Sequence, residues 1–92
     1  MEFEWDPVKA ASNVAKHEID FRDAIKVFRD IYAVEGVDRS MDYGEERFQI
    51  VGLVNDTMAA VFYVERGDKV RIISARRATK SEQRKYDRQR QE

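Results

Sequence analysis

Cysteine is absent from this chain of 92 residues, and histidine and proline each occur only once. Without cysteine, neither a disulfide framework nor a thiolate metal site can form, which suits a reducing compartment. One histidine and no cysteine also argue against a zinc site, so we expect neither a metal ion nor another cofactor. The sequence has no glycine-rich phosphate loop and no Ser-His-Asp arrangement, so chemistry of those kinds is not indicated.

Long apolar runs are missing as well. None approaches the roughly 20 residues that span a bilayer, and Met1 leads directly into the charged and aromatic segment Glu2–Trp5. We therefore expect a soluble, unprocessed cytoplasmic protein that does not contact a membrane. The length fits one domain, residues 1–92, with a modest core, and no linker, repeat or low-complexity tract divides it.

The net charge of −1 conceals an uneven distribution of charged residues. Residues 1–45 carry 6 Lys/Arg against 11 Asp/Glu, a balance of −5, whereas residues 46–92 carry 11 against 7, a balance of +4. From Arg66 to Arg90, ten basic and three acidic residues give +7. Such a local field could attract a polyanion. A solvated helix face together with ordinary sheet-edge charges would produce the same pattern.

The order of the predicted elements indicates an α+β fold. The elements are a strand at Phe3–Trp5, a helix at Pro7–Glu18, a helix capped by Asp20, strands at Ile31–Val37, Phe48–Val54, Met58–Glu65 and Val70–Arg76, and a helix from Lys80, with an exposed loop at Asp38–Glu45. Turn signals between the last three strands favour antiparallel hairpins. We expect a twisted antiparallel sheet with the two N-terminal helices on one face.

Two sets of apolar residues are predicted to form the core. Phe21, Ala24, Ile25 and Phe28 lie at helical spacing in the second helix, which predicts that they pack together against the sheet. Trp5 could stack on a base, but a tryptophan in a short alternating strand is more often part of a core.

The segment from Val70 to Glu82 places two arginines where an apolar strand ends and a helix begins. Strict period-2 alternation predicts that Val70, Ile72, Ser74 and Arg76 share one face of the sheet. Thr79 and Glu82 have the spacing of a capping box, so the next helix is expected to start just after Arg77. Guanidinium groups near such a helix start favour phosphate or carboxylate ligands.

Several other side chains have both a chemical and a structural interpretation. His17 is the only histidine and the obvious acid or base near neutral pH, yet Lys16 and His17 would also suit the end of a helix as cations. Arg47 could pair with a neighbouring carboxylate. Tyr63 and Tyr86 could contact a phosphate or a base, although core packing is the commoner use of tyrosine.

Without metal ligands, catalysis would depend on Arg, Lys, His, Tyr and carboxylates. That inventory suits metal-free RNA cleavage, in which a base activates the ribose 2′-hydroxyl, arginines stabilise charge on the phosphate, and an acid protonates the leaving oxygen. It suits simple binding of RNA or protein equally well.

A family resemblance is carried by an ordered set of segments. They are Phe3–Ala10, Asn13, Lys16–His17, Phe21 with Ala24, Glu46–Arg47, Gly52, Arg71–Thr79, Glu82 and Tyr86. In order and spacing, this set resembles the BrnT family of bacterial toxins, the toxin half of the BrnT/BrnA type II toxin-antitoxin pair. Single pieces are weak signals, whereas the ordered set runs almost from end to end and is specific.

The resemblance implies a RelE-like fold and a metal-independent endoribonuclease that blocks translation. It also implies neutralisation in a hetero-oligomer with a BrnA-type antitoxin, through which alone the chain would associate with DNA. Carried over by position, the residues expected to act on RNA are Lys16, His17, Arg47 and Arg76, with supporting contacts from Tyr63, Arg66, Arg77 and Tyr86. A catalytically silent homologue, acting as a protein-interaction module in a DNA-bound repressor complex, is the alternative.

Overall fold

The computed structural model describes residues 1–39 and 44–91, so the middle of the predicted loop 38–45, at residues 40–43, lies outside the described residues. The elements are β1 (Glu2–Glu4), α1 (Pro7–His17), α2 (Phe21–Ala24), a 3₁₀ helix (Ile25–Arg29), β2 (Val34–Val37), β3 (Phe48–Val54), β4 (Thr57–Arg66), β5 (Lys69–Arg77) and α3 (Lys80–Gln91). The α+β class is confirmed. No helix of the described ranges is long and apolar enough to cross a membrane.

The five strands form one mixed sheet in the order β1-β5-β4-β3-β2. Strands β2 to β5 pair antiparallel with their neighbours, as the hairpin signals predict. The first strand departs from the prediction, because β1 pairs parallel with β5, with Phe3 opposite Val70. Turn residues indicate only that consecutive strands pair with each other. They carry no information about β1, which is distant from β5 in the sequence but pairs with it in the sheet.

The two N-terminal helices cover one side of the sheet, called here the helix face. Cross-strand partners share a face, and the row formed by Ile50, Val61 and Ala75 points into the core beneath these helices. Trp5 is partly buried against this core and meets Phe21 edge-on at 6.2 Å between ring centroids, as predicted for a core residue. The opposite side, called here the open face, is contacted by α3 near β3 and β2.

The second helix is shorter than predicted and changes its geometry after one turn. An α-helical turn capped by Asp20 continues as the 3₁₀ helix, whose side chains repeat every three residues. Accordingly Phe21, Ala24 and Val27 are completely buried. Ile25 and Phe28 are partly buried and pack against the same core, so the predicted packing of this segment is confirmed.

A β-bulge interrupts the alternation of β5. Tyr63 of β4 lies opposite Ile72, whereas its neighbour Phe62 lies opposite Ser74, which leaves Ile73 as an extra residue in β5. An extra residue of this kind shifts every later side chain of the strand to the other face.

Because of the bulge, the side chains at the end of β5 point to the opposite faces of the sheet from those predicted. Val70 and Ile72 point into the core as expected, but it is Ala75 that follows them on the helix face. Arg76 and Ser74 therefore lie on the open face. The prediction was wrong because strict alternation assumes one residue for one residue along the whole ladder.

Asn13 is the one buried polar side chain among the residues that the structure describes. Its amide nitrogen donates to the carbonyl oxygens of Ile19 and Ala75, each at 2.9 Å, and its amide oxygen accepts from the Ala75 N–H at 3.0 Å. Pairing between β1 and β5 ends at Arg71, so the side chain of Asn13 supplies the hydrogen bonds that a longer β1 would have given to Ala75.

Replacing Asn13 by alanine is expected to lower the free energy of unfolding by about 2–4 kcal/mol, because it leaves three buried backbone groups without partners. Urea denaturation followed by circular dichroism would measure the change. Ser12→Ala is the matched control, since Ser12 is exposed on the same helix turn and should change stability by less than about 0.5 kcal/mol. A similar stability for both variants would contradict the role given to Asn13.

Candidate functional site

The start of α3 has the geometry that the capping-box spacing predicts. The Glu82 N–H donates to Thr79 Oγ1 at 3.1 Å, and Glu82 Oε1 accepts from the Thr79 N–H at 2.8 Å. The helix begins at Lys80, directly after β5. This reciprocal pair fixes the Glu82 carboxylate beside the end of the strand.

Arg76 is clamped by Glu82 in a bidentate ion pair. Arg76 Nη1 donates to Glu82 Oε1 at 2.9 Å, and Nη2 donates to Oε2 at 3.0 Å. Gln49 Nε2 donates to the same Oε2 at 2.6 Å, and the guanidinium carbon lies 5.2 Å from the centre of the Phe62 ring. Three side chains from β3, β4 and α3 thus hold one arginine on the open face.

The ion pair between Arg76 and Glu82 shifts the pKa values of both side chains. The hydrogen bonds from Arg76 outweigh the opposing effect of burial and, with those from Thr79 and Gln49, lower the pKa of Glu82 to about 2. The hydrogen bond to Glu82 raises the pKa of Arg76 in turn. A carboxylate with so low a pKa is a poor proton acceptor at neutral pH. Its chemical role is therefore to orient Arg76.

The guanidinium of Arg76 retains room for a ligand. Two of its N–H groups are used by Glu82 and one donates to the Arg77 carbonyl oxygen at 3.1 Å. An arginine carries five N–H donors, so two remain within the part of the chain that the structure describes. About a third of the side chain is exposed. Oriented donors with remaining capacity suit an oxyanion such as a phosphate.

Arg47 joins Arg76 on the open face. The Asp38 N–H donates to the Arg47 carbonyl oxygen at 2.7 Å, which extends the β2–β3 ladder by one residue beyond Val37 and Phe48. Alternation from Phe48, which points to the helix face, directs the Arg47 side chain to the open face, where it is half-buried. The structure thus brings two of the four predicted catalytic residues to one surface.

The remaining cations of the open face are largely matched by carboxylates. The ion pairs are Arg71–Glu4 at 2.7 Å, Arg66–Glu45 at 3.5 Å and Lys69–Glu2 at 3.9 Å. Two of these carboxylates belong to β1, which the parallel pairing places beside the basic strand. The basic field predicted from the second half of the sequence is therefore partly neutralised in space.

Lys16 and His17 lie in the last turn of α1 and are exposed. Neither side chain forms a hydrogen bond or an ion pair with the described ranges. Four residues earlier in α1, Asn13 binds Ala75, so His17 is displaced from that contact by about 6 Å along the helix axis. Arg77, exposed at the end of β5, follows Ala75 on the helix face. Arg76 and Arg77 therefore lie on opposite faces at the end of β5, Lys16 and His17 lie in the last turn of α1, and Arg66 lies at the other end of the β4–β5 pair.

Tyr63 is a core residue. Its ring lies between Phe28 and Phe48, with centroid distances of 5.1 and 5.4 Å, and its hydroxyl donates to Glu35 Oε2 at 2.8 Å. Burial and this carboxylate raise the pKa of its hydroxyl. Phe62 and Tyr63 are neighbours in β4, so their side chains point to opposite faces of the sheet. Phe62 lies on the open face and Tyr63 on the helix face.

Tyr86 is also buried, with 1% of its surface exposed. Its hydroxyl donates to Asp30 Oδ2 at 2.7 Å, and burial together with Asp30 raises its pKa to about 12. Neither tyrosine presents a ring to a ligand, so both have the structural use that is commoner for tyrosine.

Sequence analysis missed three residues that shape the site: Gln49, Phe62 and the carboxylate of Glu82. For Glu82, the sequence predicts a helix cap and a place in the family pattern, but not a partner for Arg76. A signal existed for Gln49, which is a polar residue between the apolar positions of β3 and therefore had to point away from the core. Nothing local indicated that its partner would be Glu82, 33 residues later.

The family model described as ribonuclease toxin, BrnT, of type II toxin-antitoxin system matches residues 5–82. That range begins directly after β1 and includes α1, the other four strands and Glu82 at the start of α3. The search of curated proteins found no match. Within the described ranges, no group of three or more His, Asp or Glu side chains is placed to hold a metal ion.

Glu82→Gln is expected to lower the free energy of unfolding at pH 7 by about 1–2 kcal/mol, because the ion pair is partly screened by solvent. The folded pKa of about 2 is below the ordinary value of 4.5, so this stabilisation is present above pH 4.5 and lost as the pH falls toward 2. Urea unfolding at several pH values would measure it.

The matched control is Asp87→Asn, a carboxylate removed from an exposed position of the same helix. The difference between wild type and Glu82→Gln should shrink between pH 4.5 and 2, and the Asp87→Asn variant should remain close to wild type throughout. A constant difference across that pH range would show that the ion pair is not its cause.

Proposed function

The chain belongs to the BrnT family of ribonuclease toxins of type II toxin-antitoxin systems, and from this premise we propose that it cleaves RNA at the Arg76 end of its open face. The observation that supports this location is the guanidinium of Arg76, oriented by Glu82 and Phe62 and still able to donate to a ligand. Its placement suits a scissile phosphate.

The reaction we propose is metal-independent endonucleolytic cleavage, on the basis of a sequence with one histidine and no cysteine. A base removes the proton of a ribose 2′-hydroxyl, the 2′-oxygen attacks the adjacent phosphorus, and the bond from phosphorus to the 5′-oxygen breaks. An acid protonates the departing 5′-oxygen. The guanidinium of Arg76, which Glu82 already orients, stabilises the negative charge that accumulates on the phosphate oxygens. The guanidinium does not have to reorient to do so.

We propose roles for the remaining residues from the family resemblance and from their positions in the fold. Arg47 shares the open face with Arg76 and is proposed to contact the same phosphate or its neighbour. His17, near the end of β5, is proposed as the acid or base, with Lys16 beside it. Arg66 and Arg77 lie at opposite ends of β4–β5 and are proposed as contacts to the RNA backbone. Tyr63 and Tyr86 are left out of the proposed site because both are buried.

Membership of a toxin-antitoxin family implies an antitoxin partner. We propose a BrnA-type antitoxin that forms a hetero-oligomer with this chain in the cytoplasm, a block of translation as the outcome of RNA cleavage, and a RelE-like arrangement of the fold. Growth arrest and loss of RNA integrity on expressing this chain alone would separate an active toxin from a catalytically silent interaction module.

Arg76→Lys is expected to reduce the rate of RNA cleavage by a factor of ~10 to 1000, because lysine keeps the charge but loses the bidentate fork. Initial rates with purified protein and total RNA would measure it. Arg22→Lys is the control, since Arg22 also pairs with a carboxylate, Asp20, but belongs to α2 on the helix side. An unchanged rate in a folded Arg76→Ala variant would refute the assignment.

His17→Gln is expected to abolish most cleavage while leaving affinity for the antitoxin unchanged, since glutamine cannot transfer a proton near neutral pH. The wild-type rate should change with pH between ~5 and 8. Lys9→Gln removes an exposed cation from the same helix and should retain full activity. If the His17→Gln variant still arrests growth, the histidine is only a favourable cation at a helix end.

A further inference from the structure

A cleft separate from the Arg76 site lies between the 3₁₀ helix and α3. It has a volume of about 730 Å³. Its apolar lining is unusually accessible, because Ile31 is 85% exposed and Tyr32 and Leu53 are each 40% exposed. Large apolar side chains grouped in this way mark surfaces that bind a partner, whereas single exposed residues do not.

The rim of the cleft is positively charged. Lys26, Arg29 and Arg90 line it, and Lys26 also contacts the Asp23 carboxylate at 3.2 Å. Among the residues that the structure describes, Asp30 is the one carboxylate lining the cleft.

Asp30 is occupied by the fold itself. It accepts hydrogen bonds from the N–H groups of Tyr32 and Leu53, each at 2.9 Å, and from the Tyr86 hydroxyl. Burial opposes its ionisation, but these hydrogen bonds prevail and lower its pKa. The positive charge of Arg90 also lowers the pKa of Asp30, so these two side chains partly offset each other. Among the described residues, three cations against one carboxylate leave the cleft with a net positive charge.

We propose that this cleft anchors an acidic segment of the antitoxin that carries an apolar side chain. Arg29 and Arg90 would pair with its carboxylates, and Ile31 and Leu53 would cover its apolar residue. The lining fits an apolar protein side chain better than a run of bases, because Ile31 and Leu53 offer a nucleic acid neither stacking nor hydrogen bonds and Tyr32 is the one exposed ring among the described lining residues. The proposal rests on the toxin-antitoxin assignment and is independent of the chemistry at Arg76.

One helix connects the cleft to the candidate active site. Glu82, Tyr86 and Arg90 follow one another at intervals of four residues, so they form a single stripe along α3. Glu82 holds Arg76 at one end of the stripe, and Arg90 lines the cleft at the other, about 12 Å away along the axis. An antitoxin anchored here would be close enough to extend over the open face.

The test titrates an intact BrnA-type antitoxin against variants of the full chain by calorimetry. Ile31→Asp and Arg90→Glu are each expected to raise the Kd about tenfold or more, since each places an anion where an acidic segment binds. The matched controls are Val8→Asp, 77% exposed on α1, and Arg88→Glu, exposed on α3, which should shift the Kd by no more than about twofold. Thermal unfolding of each variant verifies that it is folded.

RNA cleavage by each isolated variant is measured in parallel and should equal that of wild type. An unchanged Kd for both Ile31→Asp and Arg90→Glu overturns the proposal. It is likewise overturned if these variants weaken RNA binding, or abolish self-association in sedimentation, while antitoxin affinity is retained. A wild-type chain that fails to cleave RNA but shows the expected Kd changes would refute the proposed reaction and leave the anchoring site standing.

Discussion

One extra residue in β5 determines where the candidate site lies. With strict alternation, Arg76 would point into the layer between sheet and helices, where an unpaired guanidinium is strongly disfavoured. The bulge at Ile73 places Ala75 in that position and turns Arg76 to the other side. There the guanidinium meets Phe62 and the first turn of α3. The bulge, the helix cap and the ion pair therefore depend on one another.

The parallel edge strand has an electrostatic consequence. It brings glutamates from the acidic first half of the chain next to lysine and arginine from the basic second half, as in the Arg71–Glu4 pair. A charge separation that is evident along the sequence is thus reduced on the folded surface. Recognition of an anion at such a surface depends more on the few donors that are held in place than on attraction at long range.

Most of the helices and strands could be predicted from local features of the sequence, such as helix caps. Asp6, Asp20 and Thr79 each cap a helix start, and the hydrogen bonds that define the caps are present. The pairing of β1, the bulge and the contact between Gln49 and Glu82 were not predictable in the same way. The pairing of β1 and the Gln49–Glu82 contact join segments far apart in the chain, whereas the bulge is an irregularity within the β4–β5 hairpin. Neither periodicity nor capping chemistry reports on such features.

The amide of Asn13 also limits what the sheet can associate with. An exposed strand edge offers N–H and C=O groups to any passing strand, and β5 becomes such an edge beyond the point where β1 ends. At Ala75 both groups are already taken by a side chain anchored in α1. A foreign strand would have to displace α1 before it could pair there. At this position, next to Arg76, the sheet therefore cannot pair with a further strand, although β1 does not extend that far.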